Sequence, residues 1–272
     1  MLSILNNVSS LQAENSLNST QMSLNSTLQQ LSTGQRINSG ADDPAGLAIA
    51  NGLEANVTAL TQSVQNATDG VGELQVADGA LSQITTLLNQ AVTVATESAS
   101  GTVSDSQRTA LDAEFQSITS EISTIGSTTT YNGKAVFGSG TLTVFMSDSS
   151  TAGTSSITVG MVTVSATTLT LAANNLTTAA NAQSALTNIN SAIAAVAALR
   201  GNLGASSNQL QAATNVMNNQ ITNVQSAESG IMDADIGTTT ANLSKYTILQ
   251  QTGIAALQQS NQMQQGVLKL LQ

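Results

Sequence analysis

The sequence predicts a mainly α protein. It reads as a long antiparallel coiled-coil-like helical rod with a small β-hairpin region, plus paired terminal helices. Three observations carry this. Two stretches hold a sustained heptad seam, the pattern by which long helices pack side by side. The order of segments is near-mirror symmetric: terminal helix, break, long helix, β centre, long helix, break, terminal helix. The surface chemistry is Ser, Thr, Asn and Gln, with only 8% charged residues, which suits helices lying against protein better than a charge-laced solvated face.

The first helix is expected over residues 4–31, with apolar positions Ile4, Val8 and Leu11, then Leu17, Leu24, Leu28 and Leu31. The phase shifts by one residue between Leu11 and Leu17, and nothing adjacent in sequence partners this stripe. Residues 32–46 break the pattern with Gly34, Gly40, Pro44 and Gly46. Asp43 before Pro44 reads as an N-cap and first helical residue.

The clearest signal follows. Steps of three and four give Val57, Leu60, Val64, Ala67, Val71, Leu74, Asp78, Leu81, Thr85, Leu88, Val92 and Ala95. At ~1.5 Å per residue that seam spans roughly 58 Å. A turn at 101–105 leads to a shorter helix with Leu111, Phe115, Ile118, Ile122 and Ile125. From Tyr131 to Leu171 the chain turns to Thr, Ser, Gly and Val. Leu142–Met146, Ile157–Val159 and Met161–Ser165 read as strands around a loop at 147–156.

The second seam runs Leu186, Ile189, Ile193, Val196, Arg200, Leu203, Ser207, Leu210, Thr214, Met217, Ile221 and Val224. Gly230, Asp233, Asp235 and Gly237 interrupt it. The last helix has Leu249, Gly253, Ala256, Ser260, Met263, Val267 and Leu270 on its seam, widened by Leu257, Leu268 and Leu271. Short, weakly charged terminal helices are marginal alone. Their stripes call for self-association through Leu24, Leu28, Leu31, Leu249, Leu257, Met263, Val267 and Leu270. Leu257 is expected in a contact between subunits. In a free subunit, residues 1–32 and 236–272 are expected to lack partners.

Composition excludes much chemistry. The chain has no Cys, His or Trp, so it offers no thiol nucleophile, imidazole base or ordinary zinc site. A net charge of −10 with 2% aromatic residues argues against nucleic-acid binding. No stretch approaches a membrane span, and the start Met1-Leu2-Ser3-Ile4 lacks the basic and apolar regions of a cleavable secretory signal. Catalytic, cofactor and metal sites are therefore expected to be absent. The acidic pairs Asp42/Asp43 and Asp233/Asp235 sit at pattern breaks and read as caps and turns. The seam exceptions Asp78, Thr85 and Arg200 read as register-setting residues or as partners across helices.

The two ends resemble the bacterial flagellin family. The carriers are Leu31-Ser-Thr-Gly34-Gln-Arg36-Ile-Asn-Ser-Gly-Ala-Asp42-Asp43-Pro44-Ala-Gly46, then Asn66-Ala-Thr-Asp69-Gly70-Val and Asp78-Gly79-Ala80-Leu81. Tyr131-Asn132-Gly133-Lys134 is similar to the family's entry to its hairpin. Glu228-Ser-Gly-Ile-Met-Asp233-Ala-Asp235-Ile, Leu243-Ser-Lys245 and Ile248-Leu249-Gln250-Gln251 resemble its C-terminal signature. Large outer variable domains have no counterpart here. The resemblance implies a secreted subunit of the extracellular flagellar filament, serving motility as a homopolymer. It implies a flagellar export chaperone, the type III flagellar export apparatus, and hook-associated and cap proteins as partners, with no membrane insertion. It implies a terminal-helix polymerisation domain from 1–44 and 233–272, and a rod domain over 45–232 with its β region at about 131–171. Gly34, Arg36, Asp42, Asp43, Pro44, Gly46, Asp233 and Asp235 would form the hinges and caps between them. The competing readings are the hook–filament junction protein of the same superfamily and, in a different class, a chemoreceptor-like signalling rod. The β centre and the break at Pro44 oppose the latter.

Overall fold

A computed structural model describes residues 7–147 and 156–270, with side chains to residue 266. Five helices account for most of it: α1 (Val8–Thr33), α2 (Pro44–Ala99), α3 (Asp105–Thr128), α4 (Ala179–Met232) and α5 (Ile236–Leu270). Between α3 and α4 lie two antiparallel hairpins, β1 (Thr130–Tyr131) with β2 (Lys134–Ala135) and β3 (Thr141–Phe145) with β4 (Ser156–Gly160). No described helix is long and apolar enough to cross a membrane. The chain divides into two compact units: residues 1–55 with 223–272, and residues 56–222.

The 56–222 unit holds the main apolar core. Leu60, Ala67, Leu74, Leu81, Leu88 and Ala95 of the first seam are buried. Ile189, Val196, Leu203, Leu210 and Met217 of the second are buried with them. The pairing is antiparallel. A side chain at Gly70 would meet Leu210, and Asp78 bonds Arg200 eight residues further along α2 but ten back along α4. Burying such apolar residues supplies ~1.5–3 kcal/mol each, and this unit gathers most of them.

Glycine marks where backbones come closest. A Cβ at Gly70 would lie 2.7 Å from Val144 Cγ2, so β3 packs directly on α2. The Ser63 hydroxyl donates to Ser147 O at 3.0 Å, and Asn66 Nδ2 donates to Phe145 O at 3.1 Å. The β1–β2 turn places Asn132 and Gly133 at positive φ, +48° and +76°, the left-handed pair that a tight hairpin requires.

Two strand expectations change. The β1–β2 hairpin was not foreseen as strand, being only two residues a side. Met161–Ser165 is not a strand. Met161 N extends the β3–β4 ladder by one bond, to Gly140 O at 3.0 Å. The following residues then lie on α3, where Val164 O occupies the space a Cβ on Gly126 would need. Ala166 N donates to Ser123 Oγ at 3.0 Å. The polar demand that a third strand would have met is met by a helix side chain instead.

Arg108, on the first turns of α3, is buried. Its guanidinium donates to the carbonyls of Ser98, Ser100 and Val103. These carbonyls end α2 and form the turn after it, where a cation suits the helix dipole and the orphan acceptors. The periodicity at 101–105 shows a turn but not what satisfies it.

Candidate functional site

The 1–55/223–272 unit is built on α1 and α5, which pack antiparallel. Asn7 Nδ2 donates to Gln264 Oε1 at 3.0 Å and the Ser260 hydroxyl donates to Asn7 Oδ1 at 3.2 Å. Ser10 Oγ donates to Asn261 Oδ1 at 3.2 Å. Further along, Gln250 Nε2 donates to Gln21 Oε1 at 2.6 Å. Between them Gly253 faces Leu17, whose Cδ1 would lie 3.3 Å from an added Cβ. The seam is therefore largely polar, and buried Leu24, Thr27, Thr239 and Ser260 complete it.

Positions three, four and seven apart share a helix face, and this sorts the apolar residues into two sets. Leu17, Leu24 and Leu31, at seven-residue spacing, lie on the α1 face that meets α5. Val8, Leu11 and Met22 lie on the opposite side and are exposed, Met22 by 67%. The one-residue phase shift after Leu11 thus separates an inner stripe from an outer one. On α5 the inner face carries Leu243, Gln250, Gly253, Leu257, Ser260 and Gln264. Ile248, Leu249 and Met263 form one exposed band beside it, and Ile236 with Ile254 another. Fourteen large apolar side chains stand exposed among the described residues, and ten belong to this unit.

The residues expected to drive association fall on both sides. Leu28, Leu249 and Met263 are exposed, whereas Leu24 is buried and Leu31 half-buried against the chain's own α5. Leu257 is half-buried and lies between Gly253 and Ser260 on the inner face, so its first neighbour is α1 of the same chain. Its expected place in a contact between subunits concerns only the part of the side chain left exposed. The side chains of Val267, Leu268 and Leu270 lie outside the described residues, as do Ile4 and Leu271. The terminal helices also have partners in the single chain, on their inner faces. Val8, Met22, Ile236 and Ile254 escaped the sequence reading as an outward set. The phase shift was the signal for the first two.

The residues expected as hinges and caps gather at the base of this pair. Gly34 caps α1 with φ +73°, its N–H bonded to Gln30 O. Ala234 N donates to Gly34 O at 2.9 Å, and Arg36 N to Met232 O at 2.6 Å, closing an antiparallel bridge between Gln35 and Asp233. Arg36 also donates from Nη2 to Ile231 O at 2.8 Å, at the end of α4. The Ser229 hydroxyl donates to Asp233 Oδ2. Asp42 Oδ2 accepts from the Asn38 and Ser39 amides, which hold its carboxyl below the usual carboxylate range. Asp43 Oδ1 accepts from Gly46 N at 2.9 Å and so caps α2 behind Pro44. A Cβ on Gly46 would collide with Asp43 and Ile37. Asp235 caps α5. Bonds from the Thr238 hydroxyl, then from the Thr238 and Gly237 amides, lower its carboxyl in the same way. Both acidic pairs are occupied by local backbone and hydroxyl donors.

What such a surface can do is bury itself against protein: it presents apolar bands on a helix pair held together by the seam bonds of Asn7, Ser10 and Gln21. Residues 4–142 match the model of the bacterial flagellin N-terminal helical region, covering more than half the chain, and residues 186–271 match that of the bacterial flagellin C-terminal helical region. The chain belongs to the bacterial flagellin family. It is 49% identical over 85 residues to a flagellin of Bordetella bronchiseptica, a match covering 31% of this chain and 22% of that one. It is 46% identical over 85 residues to a flagellin of Serratia marcescens, covering 31% of this chain and 24% of the relative. These matches span about a quarter or less of the curated relatives' length. The crystal structure of a Bacillus cereus flagellin is 24% identical, with a TM-score of 0.49, over 56% of this chain and 88% of that one.

Proposed function

We propose that the chain is a non-enzymatic structural subunit of the extracellular flagellar filament, polymerising with copies of itself through the outer bands of α1 and α5. The carrying observation is the concentration of exposed apolar side chains on the α1–α5 unit, opposite the seam on α1 and beside it on α5. In this reading residues 1–44 and 233–272 act as the polymerisation domain and 45–232 as the rod. Leu28, Leu249 and Met263 belong to the contacts, with Val267 and Leu270 joining them from the end of α5. Leu24, Leu31 and Leu257 hold the pair that displays the bands. Gly34, Arg36, Asp42, Asp43, Pro44, Gly46, Asp233 and Asp235 shape its base. Export unfolded through the type III flagellar apparatus with its chaperone, and contact with hook-associated and cap proteins, complete the proposal.

Magnitudes set the mode of assembly. Three side chains buried on one band contribute ~5–9 kcal/mol gross. Losing the freedom of a free subunit costs ~4–15 kcal/mol. One band therefore barely holds a second copy, and growth needs several bands engaged at once, giving a threshold concentration. The test is electron microscopy and light scattering of the purified chain at rising concentration, beside the Leu11→Glu/Ile248→Glu double variant. Long filaments above a threshold, absent from a variant with unchanged circular dichroism and melting, are expected. Filaments from the variant, or none from the parent, would overturn the reading. Short closed assemblies would favour the hook–filament junction protein.

A further inference from the structure

The chain has seven methionines and no Cys, Trp or His, so a two-electron oxidant meets thioethers before any comparably reactive side chain. Two of them stand out. Met22 and Met263 are 67% and 58% exposed, whereas Met146 and Met217 are buried in the 56–222 unit and Met161 and Met232 are half-buried. Both exposed sulfurs lie on the outer bands of the α1–α5 unit. Met22 shares a line with Val8 and Leu11, and Met263 sits fourteen residues, about four turns, beyond Leu249.

We propose that Met22 and Met263 are peroxide-reactive sites whose sulfoxidation reversibly disables the subunit for assembly. The proposal rests on the assembly role argued above. The sulfur lone pair attacks one oxygen of a hydroperoxide. An S–O bond forms and the O–O bond breaks, the sulfur is oxidised by two electrons, and the peroxide leaves as water or an alcohol. The product is a polar, chiral sulfoxide where an apolar, adaptable thioether stood. Within a contact between copies the sulfoxide oxygen must give up water that a thioether never held, which costs free energy each time the contact forms. Chain folding is unaffected, since neither sulfur takes part in the α1–α5 seam. Thiol-dependent methionine sulfoxide reductases, one for each sulfoxide epimer, restore the thioether.

The experiment treats purified monomer with graded hydrogen peroxide, maps sulfoxides by peptide mass spectrometry, and measures the threshold concentration for polymerisation. A third portion is treated, then incubated with both reductases and dithiothreitol. Among the described methionines, Met22 and Met263 should be modified at least tenfold faster than Met146 and Met217. The threshold should rise tenfold or more and fall back after reduction. In preformed filaments the same dose should modify the two sites at least tenfold more slowly. Preferential oxidation of Met146 or Met217 overturns the inference, as does assembly of the oxidised chain at the unmodified threshold. Failure of assembly to return once the mass has returned also overturns it. If the untreated chain makes no filaments, the assembly reading fails and takes this one with it, which separates the two.

Discussion

Arg200 grips Asp78 by both carboxylate oxygens, with Nε 2.7 Å from Oδ1 and Nη2 3.2 Å from Oδ2. Each residue occupies a seam position that the heptad reserves for an apolar side chain, and each is more than a third exposed. A pair this solvated adds little net stability. Its effect is on register, since sliding α4 along α2 by one turn would put the charges out of reach of each other. Charge reversal tests this. Arg200→Asp and Asp78→Arg should each lower the melting temperature. The double variant should recover most of the loss, and 0.5 M salt should shrink both effects. No recovery in the double variant would show that the seam tolerates slippage and the pair is incidental.

Two glycines of the same unit should respond with opposite signs. Gly126→Ala drives a methyl into the Val164 carbonyl, and backbone must move to admit it, at a cost of about 1–3 kcal/mol. Gly79→Ala, inside α2 with open space around it, should instead stabilise by about 0.5–1 kcal/mol through helix propensity. Urea titrations measure both. The same sign for the two would mean that the approach of residues 161–166 to α3 is not what fixes Gly126.

The pH dependence follows from the caps. Asp42, Asp78 and Asp235 are held below the ordinary aspartate range, by donors from Asn38 and Ser39, from Arg200, and from Thr238 and Gly237 respectively. Groups lowered on folding stabilise the fold above their unfolded pKa, and that contribution is lost as pH falls through the folded value. The loss should therefore begin below about pH 4. Amides of residues 38, 39, 237 and 238 report it locally. Their exchange protection, corrected for intrinsic rate, should fall as the pH drops below the unfolded aspartate value, about 4. Asp42→Asn and Asp235→Asn should flatten that fall, and an unchanged slope in the double variant would refute the assignment. Glu73 runs the other way. Burial raises its carboxyl despite Lys134, so its contribution favours folding at low pH and is lost as pH rises through the folded value. Glu73→Gln should be tolerated better at pH 7 than at pH 4.

Leu257→Asp should act on the free chain first. The side chain is half-buried on the α5 face that meets α1, so a carboxylate there is partly desolvated against a seam of amides and Leu17. Amide protection in α1 and α5 should fall in the monomer, while the 56–222 unit melts as before. Intact protection of both helices would return Leu257 to an outward role.

The long helices, the breaks and the central hairpin were legible because periodicity and glycine or proline punctuation are local properties of the chain. Asp43 before Pro44 could be assigned as a cap for the same reason. The α1–α5 pair was harder. The pairing of the terminal helices was expected, and Leu17, Leu24 and Leu31 carry the apolar part of its seam; the polar part, Asn7, Ser10, Gln21 and Gln250, lies at positions that apolar periodicity does not register. Arg108 was opaque for a related reason. A basic residue near a helix start looks solvated until the carbonyls it covers are in view. Thr85, read as a possible cross-helix partner, donates to Leu81 O in its own helix.

The α1–α5 seam joins residues as far apart in sequence as Asn7 and Gln264, separated by 257 positions. Closing so long a loop is slow, and it gains nothing until both ends are present. An incomplete chain therefore carries α1 without α5, or α5 without α1, and lacks the paired face. In the proposed assembly this makes completeness a condition of joining: the face formed by α1 and α5 exists only once both ends of the described chain are present.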